Sequence, residues 1–263
     1  MKKIIALTVL LFSHWAYGDD ELGAYLGAAY ALREQIEQKA TAGGVPRLSD
    51  AKTAHLFSIL SDHKRFLQNR KYALKDLADL RLICEENAIR FPIYYMVVGL
   101  SDIHEDEMEP QQAVEAFQAL TYKNSIVYQD EIMALMPFSV YCSARVVQLA
   151  SEAISSLKKE EITEIRLQGI RQTKAGFFNI YEGSLRALKQ EGIKNEHKMR
   201  LAQVLAETVE QFLPFISLSD RVKIIALVKQ AQETSTPDVR GQLDKVISTL
   251  SSKECGWACQ LKM

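Results

Sequence analysis

Beyond its first eighteen residues the chain carries four histidines, His55, His63, His104 and His197, and these bound its proton-transfer and metal chemistry. His104 opens the run His104-Glu105-Asp106-Glu107-Met108. That run begins like the zinc-protease motif H-E-x-x-H, in which two histidines one helical turn apart bind zinc and the glutamate acts as base. Met108 occupies the place of the second histidine, so the motif lacks a ligand. His104, Asp102, Glu105 and Asp106 remain candidate ligands for a hard cation, which takes oxygen donors. They lack the EF-hand spacing and its central glycine, and the simpler expectation is a solvated acidic stretch leading into Pro110. His63 falls on an apolar stripe with Leu60 and Phe66 and reads as a packed, hydrogen-bonded residue.

Nucleophilic and nucleotide chemistry find no motif. There is no G-x-S-x-G elbow, no P-loop and no G-x-G-x-x-G. Two carboxylates at the right separation suffice for glycoside cleavage, but with 33 Asp+Glu no particular pair stands out. No cofactor is expected.

Cys84, Cys142, Cys255 and Cys259 make an even set, which in an exported chain implies disulfides with three alternative pairings. The economical pairing is Cys84 with Cys142 and Cys255 with Cys259. Positions i and i+4 on a continuous helix hold their Cβ atoms about 5–6 Å apart, whereas a disulfide wants about 3.8 Å. A Cys255–Cys259 bond therefore requires a break in the helix, for which Gly256 is well placed. A Cys84–Cys142 bond closes a 58-residue loop and is worth about 4 kcal/mol in the chain-entropy model. Alternatively, Cys84 is a buried thiol on a helix face. Cys255-Gly256-Trp257-Ala258-Cys259 also resembles redox and haem motifs, but its spacing is three and Gln260 follows it, so a structural bond is the reading.

Aromatic residues are the remaining candidates. Tyr94, Tyr95, Tyr122 and Tyr128 fall near one another in sequence and are candidate interface residues, although tyrosines pack cores equally well.

The elements that must position these groups are helices. Apolar residues recur at helical spacing almost throughout, and Gly at 12 and Pro at 6 are too few for all-β turn chemistry. The pattern predicts about ten helices in a bundle or irregular array. The first covers Glu21 to Ala40. Ser49 is the expected cap of a second, whose stripe runs from Leu56 to Leu67. A third extends to about Asn87, and Phe91 to Leu100 forms a fourth. Pro110 opens a fifth with Ala113, Val114, Phe117 and Leu120 inward, because proline fits the first helical position. After a short apolar segment, Ile126 to Met136, Pro137 is expected to open the next. Ser219 caps a later helix and Thr236-Pro237 starts the last. Gly169, Gly176 and Gly183, seven apart on one face, imply either close packing of another backbone or a flexible helix beside a binding groove.

The start of the chain has the three-part build of a secretory signal peptide: Lys2-Lys3, the apolar run Ile4 to Phe12, and Ala16-Tyr17-Gly18. The run is shorter than the roughly 20 residues needed to cross a bilayer. Residues 1–18 are thus expected to be cleaved, leaving 19–263 as one all-α domain, with a candidate subdivision near 107. The Phe91–Leu100 run is also too short to span, so no further transmembrane anchor is expected. The whole chain has 32 Lys+Arg and 33 Asp+Glu; removal of Lys2 and Lys3 leaves 30 against 33, a net charge of −3. Such a balance exerts no long-range pull on nucleic acid. The composite expectation is a periplasmic or secreted all-α protein that binds a protein partner in the cell envelope, as an inhibitor, toxin-neutralising partner or assembly factor. A peptidoglycan hydrolase using carboxylates, and a small-ligand carrier, are the alternatives.

Overall fold

The structure, a computed structural model, describes residues 20–41, 44–68, 71–84, 90–103, 108–157, 163–252, 254, 255 and 259. Among these residues there are ten α-helices and no strand, an all-α fold. The leader reading of residues 1–18 lies outside the described residues, as do His104, Glu105, Asp106 and Gly256. The chain divides into two compact units, Met1–Leu60 and Ser61–Met263, so residue 107 falls inside the second.

The first unit holds α1 (Asp20–Thr41) and α2 (Ala51–Leu60), which pack on each other. Buried Thr53 donates to the Gln35 side-chain oxygen at 3.1 Å, and Lys39 lies 3.6 Å from Asp50. The cap of α2 is Asp50, not Ser49: its carboxylate accepts from the Lys52 backbone N–H at 2.9 Å. That bond, with Lys39 as a lesser contributor, holds the Asp50 carboxyl below its ordinary range. The predicted stripe to Leu67 is also interrupted. The helix stops at Leu60, and Asp62 accepts from the Arg65 N–H at 3.1 Å, starting a separate π-turn, Lys64–Gln68.

The second unit contains α3 (Leu77–Ile83), α4 (Arg90–Met96), α5 (Pro110–Val127), α6 (Gln129–Ser155), α7 (Glu164–Lys189), α8 (Asn195–Phe212), α9 (Leu218–Glu233) and α10 (Pro237–Leu250). A 3-10 turn, Leu74–Asp76, precedes α3. Helices α6 and α8 form its centre. α8 packs against both α6 and α10, while α4 and α3 pack on α6. The stripe on α8, Leu201, Val204, Leu205, Val209 and Phe212, is buried at the spacing its sequence shows. Tyr181 of α7 is fully buried against it: its ring meets Phe212 edge-on at 5.0 Å and its hydroxyl donates to the Leu205 carbonyl at 2.7 Å. Burial pushes the Tyr181 phenol upward, so it remains a donor.

Several predicted boundaries are corrected here. Pro137 does not open a helix; it lies inside the 27-residue α6. Proline there removes the N–H that would bond the Met133 carbonyl, an effect worth about 3 kcal/mol in an isolated helix. Burial on several sides holds α6 together regardless, with Phe138, Val140, Cys142, Ala144, Val147 and Leu149 all at or below 1% exposure. Continuity through Pro137 has a second consequence. Gln129–Ile154 is long and apolar enough to cross a membrane by length and composition, which the sequence reading missed; 67% of its most apolar window is buried within the protein. The fourth helix ends at Met96, because Gly99 takes a left-handed conformation, φ 82°, before the 3-10 turn Leu100–Asp102. The cap of α9 is Ser217, whose hydroxyl accepts from the Asp220 N–H, so Ser219 lies in the first turn. Thr236 and Pro237 do start α10, though the Thr236 hydroxyl donates to the Asn195 side chain rather than capping its own helix.

Of the three cysteine pairings, Cys84 stands with Cys142 and Cys255 with Cys259 at disulfide distance, with Cα separations of 5.5 and 5.4 Å. The first bond ties the end of α3 to the middle of α6. The second lies beside Arg221, a fully buried arginine whose guanidinium donates to the carbonyls of Leu213, Ile216, Ser252 and Glu254 at 2.6–3.1 Å. One cation thus closes the start of α9 over the chain that leaves α10.

Candidate functional site

Helix α5 departs most from its predicted role. Val114 and Phe117, expected inward, are 49% and 40% exposed. Only Asn124 on this helix is buried. Its amide donates to the Met96 and Val98 carbonyls at 3.0 and 2.8 Å, and so anchors α5 to the end of α4 by polar rather than apolar contact. The face left open carries Val114, Gln118, Thr121, Tyr122 and Ser125, at i, i+4, i+7, i+8 and i+11.

Gln118, Thr121, Tyr122 and Ser125 of that face form one wall of a groove of about 690 Å³, and Val114 lies beyond it. Ile132, Met133 and Met136 of α6 and Met96 of α4 line it, and Gly183, Arg186 and Ala187 of α7 face them. Ser125 donates to Gln190 at 3.1 Å and joins α5 to the end of α7. Gly192 continues that junction: a Cβ there would meet the Ile126 Cδ1 at 2.5 Å, so the backbone passes close against α5. Three methionines in one wall give a soft, polarizable surface that moulds to unlike side chains. The only charged groups among the lining residues are Arg186 and Lys189. Arg186 also bonds Glu182 at 2.6 Å, and Lys189 reaches Gln230 at 2.9 Å.

The glycine series is clarified here. Nothing lies within 4 Å of a Cβ placed at Gly169, Gly176 or Gly183, so close packing of another backbone is ruled out. All three are exposed, and Gly183 lines the groove. The candidate tyrosines separate as well. Tyr95 is fully buried, with half-buried Tyr94 edge-on at 5.3 Å and half-buried Tyr128 at 5.7 Å, and these three form one aromatic cluster. Tyr122 alone of the four is exposed, at 56%, and it lines the groove.

Two histidines sit in polar surroundings. His197 Nε2 lies 2.7 Å from Asp130 Oδ1, and Lys194 Nζ bonds both oxygens of the same carboxylate at 2.7 and 2.8 Å. Those hydrogen bonds, Lys194's first, hold the Asp130 carboxyl below its usual range. No hydroxyl or thiol among the described residues bonds to His197, so the pair ties the starts of α6 and α8 together without an adjoining nucleophile. His63 is half-buried and its ring stacks on Tyr141 at 4.1 Å, a packed residue on the edge of a second cleft. His55 is exposed on α2. Asp102 is exposed in its 3-10 turn, and no group of three or more potential metal ligands occurs among the described residues.

Sequence reasoning could find Tyr122, Gly183 and Met96, which stands beside Tyr94 and Tyr95, but not that Met96 would meet Met133 and Met136 of another helix, a meeting made only in the packed unit. Comparison with protein-family models, with curated proteins and with solved structures finds no match for this chain.

Proposed function

We propose that this is an exported binding protein of the cell envelope, and that the groove between α5, α6 and α7 receives an apolar, helix-forming segment of a protein partner with an acidic residue near one end. The observation that carries the reading is the open face of α5 beside the methionine-lined groove: a helix whose apolar residues remain exposed is short of a partner. An amphipathic helix laid into an apolar groove supplies the missing contacts at i, i+3, i+4 and i+7 spacing. Arg186 and Lys189 on the rim favour the acidic residue and set the direction in which the segment lies. Export is supported by the leader-like residues 1–18 and by two cysteine pairs at disulfide distance, which persist in an oxidising compartment such as the periplasm. The hydrolase alternative asks for a cleft with two carboxylates of raised pKa; among the described residues the two carboxylates that show a displacement, Asp50 and Asp130, are both held down.

The test uses the disulfide-bonded chain as bait in native envelope extract, beside Tyr122→Ala and Met136→Glu variants shown by circular dichroism to be folded. A stoichiometric partner should be captured by the unaltered chain. Loss of a central anchor costs about 2 kcal/mol, on the order of 30-fold in affinity. Equal capture by both variants, or turnover of cell-wall fragments by the unaltered chain, would refute the proposal.

A further inference from the structure

A second concavity, of about 460 Å³, opens where the π-turn Lys64–Gln68 lies against α6 and α8. Its lining is polar and includes both signs of charge: Asp62, His63 and Lys64 from the turn, Arg200 and Glu207 from α8, with Tyr141 of α6. Each acid accepts one hydrogen bond from its own chain and keeps its negative charge. Asp62 accepts from the Arg65 N–H at 3.1 Å and Glu207 from the Gln203 amide at 2.8 Å. The bases are unpaired: neither the Lys64 nor the Arg200 side chain makes a hydrogen bond or ion pair with any described residue. His63 lines the same cleft, stacked on Tyr141, so its ring is held in place rather than free to swing into water. Lys64 and Arg200, neither paired with those carboxylates, repel each other, and an anion seated in the cleft would offset that repulsion.

We infer that this cleft binds a small molecule through an oxyanion head, a phosphate or carboxylate, held by Arg200 and Lys64 with His63 as a third donor. Arg200 supplies a planar fork suited to two oxygens, and Lys64 a point charge. The size suits a ligand of modest mass. The state of His63 supports the assignment: burial first, and then the charges of Arg200 and Lys64, hold its pKa below the ordinary value against the opposing pulls of the Ser61 backbone and the Asp62 carboxylate, so the cleft favours the neutral ring until an anion arrives. This site shares no residue with the groove of α5, and its test is independent of the partner proposal.

The experiment follows the His63 ring proton by NMR across pH in the full disulfide-bonded chain, in sodium phosphate, in sodium acetate and in sodium chloride at matched ionic strength. Binding should raise the His63 pKa in phosphate or acetate relative to chloride, and the effective salt names the head group. Arg200→Gln should weaken binding of that anion by about tenfold. Lys64→Gln should weaken it less, because a flexible point charge gives up more freedom on binding. Both positions are exposed, so both variants should fold. A His63 titration that is the same in all three salts overturns the inference, as does an Arg200→Gln variant that binds as tightly as the unaltered chain.

Discussion

Arg221 and Arg200 belong to the same unit and carry the same charge, yet their surroundings are opposite. Arg221 is 2% exposed and each of its nitrogens is aimed at a backbone carbonyl. Arg200 lies exposed on α8 beside a second cation and an imidazole. The first spends a guanidinium on closing the chain; the second leaves one facing open space. The same contrast separates α10 from α5. On α10 the stripe Val239, Leu243, Val246 and Leu250 is sealed at 2% exposure or less, whereas Val114 and Tyr122 of α5 remain open at 49% and 56%. A fold that can satisfy a buried arginine with four carbonyls has the means to cover one helix face, and its exposure at α5 is where we look for a partner.

The largest test of that contrast is at Arg221. Arg221→Met leaves four carbonyls short of a donor and should destabilise the chain by about 3–5 kcal/mol, read from urea unfolding at constant m. Arg200→Gln should change stability by less than about 0.5 kcal/mol. Equal effects at the two positions would erase the distinction. Joint replacement of Cys255 and Cys259 by serine opens only a short loop at the Arg221 end, and should cost about 2 kcal/mol in the same assay.

Smaller effects are read through pH and salt. The folded pKa of His63 lies below its ordinary value near 6.5, so the unfolded chain takes up that proton first. Its contribution to stability is therefore complete above about pH 6.5 and is lost as pH falls through the folded value. His63→Gln should flatten that part of the stability profile, measured by thermal unfolding across pH in chloride. The smallest effect is expected at Asp130, whose depressed pKa places its contribution above the ordinary carboxylate range, to be lost only in acid. Its pairs with Lys194 and His197 are partly exposed, so Asp130→Asn should cost no more than about 1 kcal/mol, less at high salt.

Much of the helical skeleton was legible because its signals are local. Pro110 and Thr236-Pro237 mark starts through their own backbone chemistry, and the stripe on α8 repeats within one segment. Caps were readable only to within one or two residues, since Ser49 and Asp50, or Ser217 and Ser219, are equally able acceptors; local backbone geometry chose Asp50 and Ser217. Pro137 misled for a related reason. Its isolated preference is for a first turn, and burial along α6 outweighed that preference. The glycines of α7 misled because spacing reports a shared face but not what that face meets.

What the sequence by itself determined is the all-α class and most helix starts, which follow from residues close in the chain, whereas a count of four cysteines left three pairings open. The tertiary structure alone decided which apolar stripe would be covered and which left open, and that Met96, Met133 and Met136, or His63 and Arg200, would meet. Periodicity records that a helix has an apolar side; whether another helix arrives to bury it depends on contacts between residues far apart in the chain, which no single segment encodes.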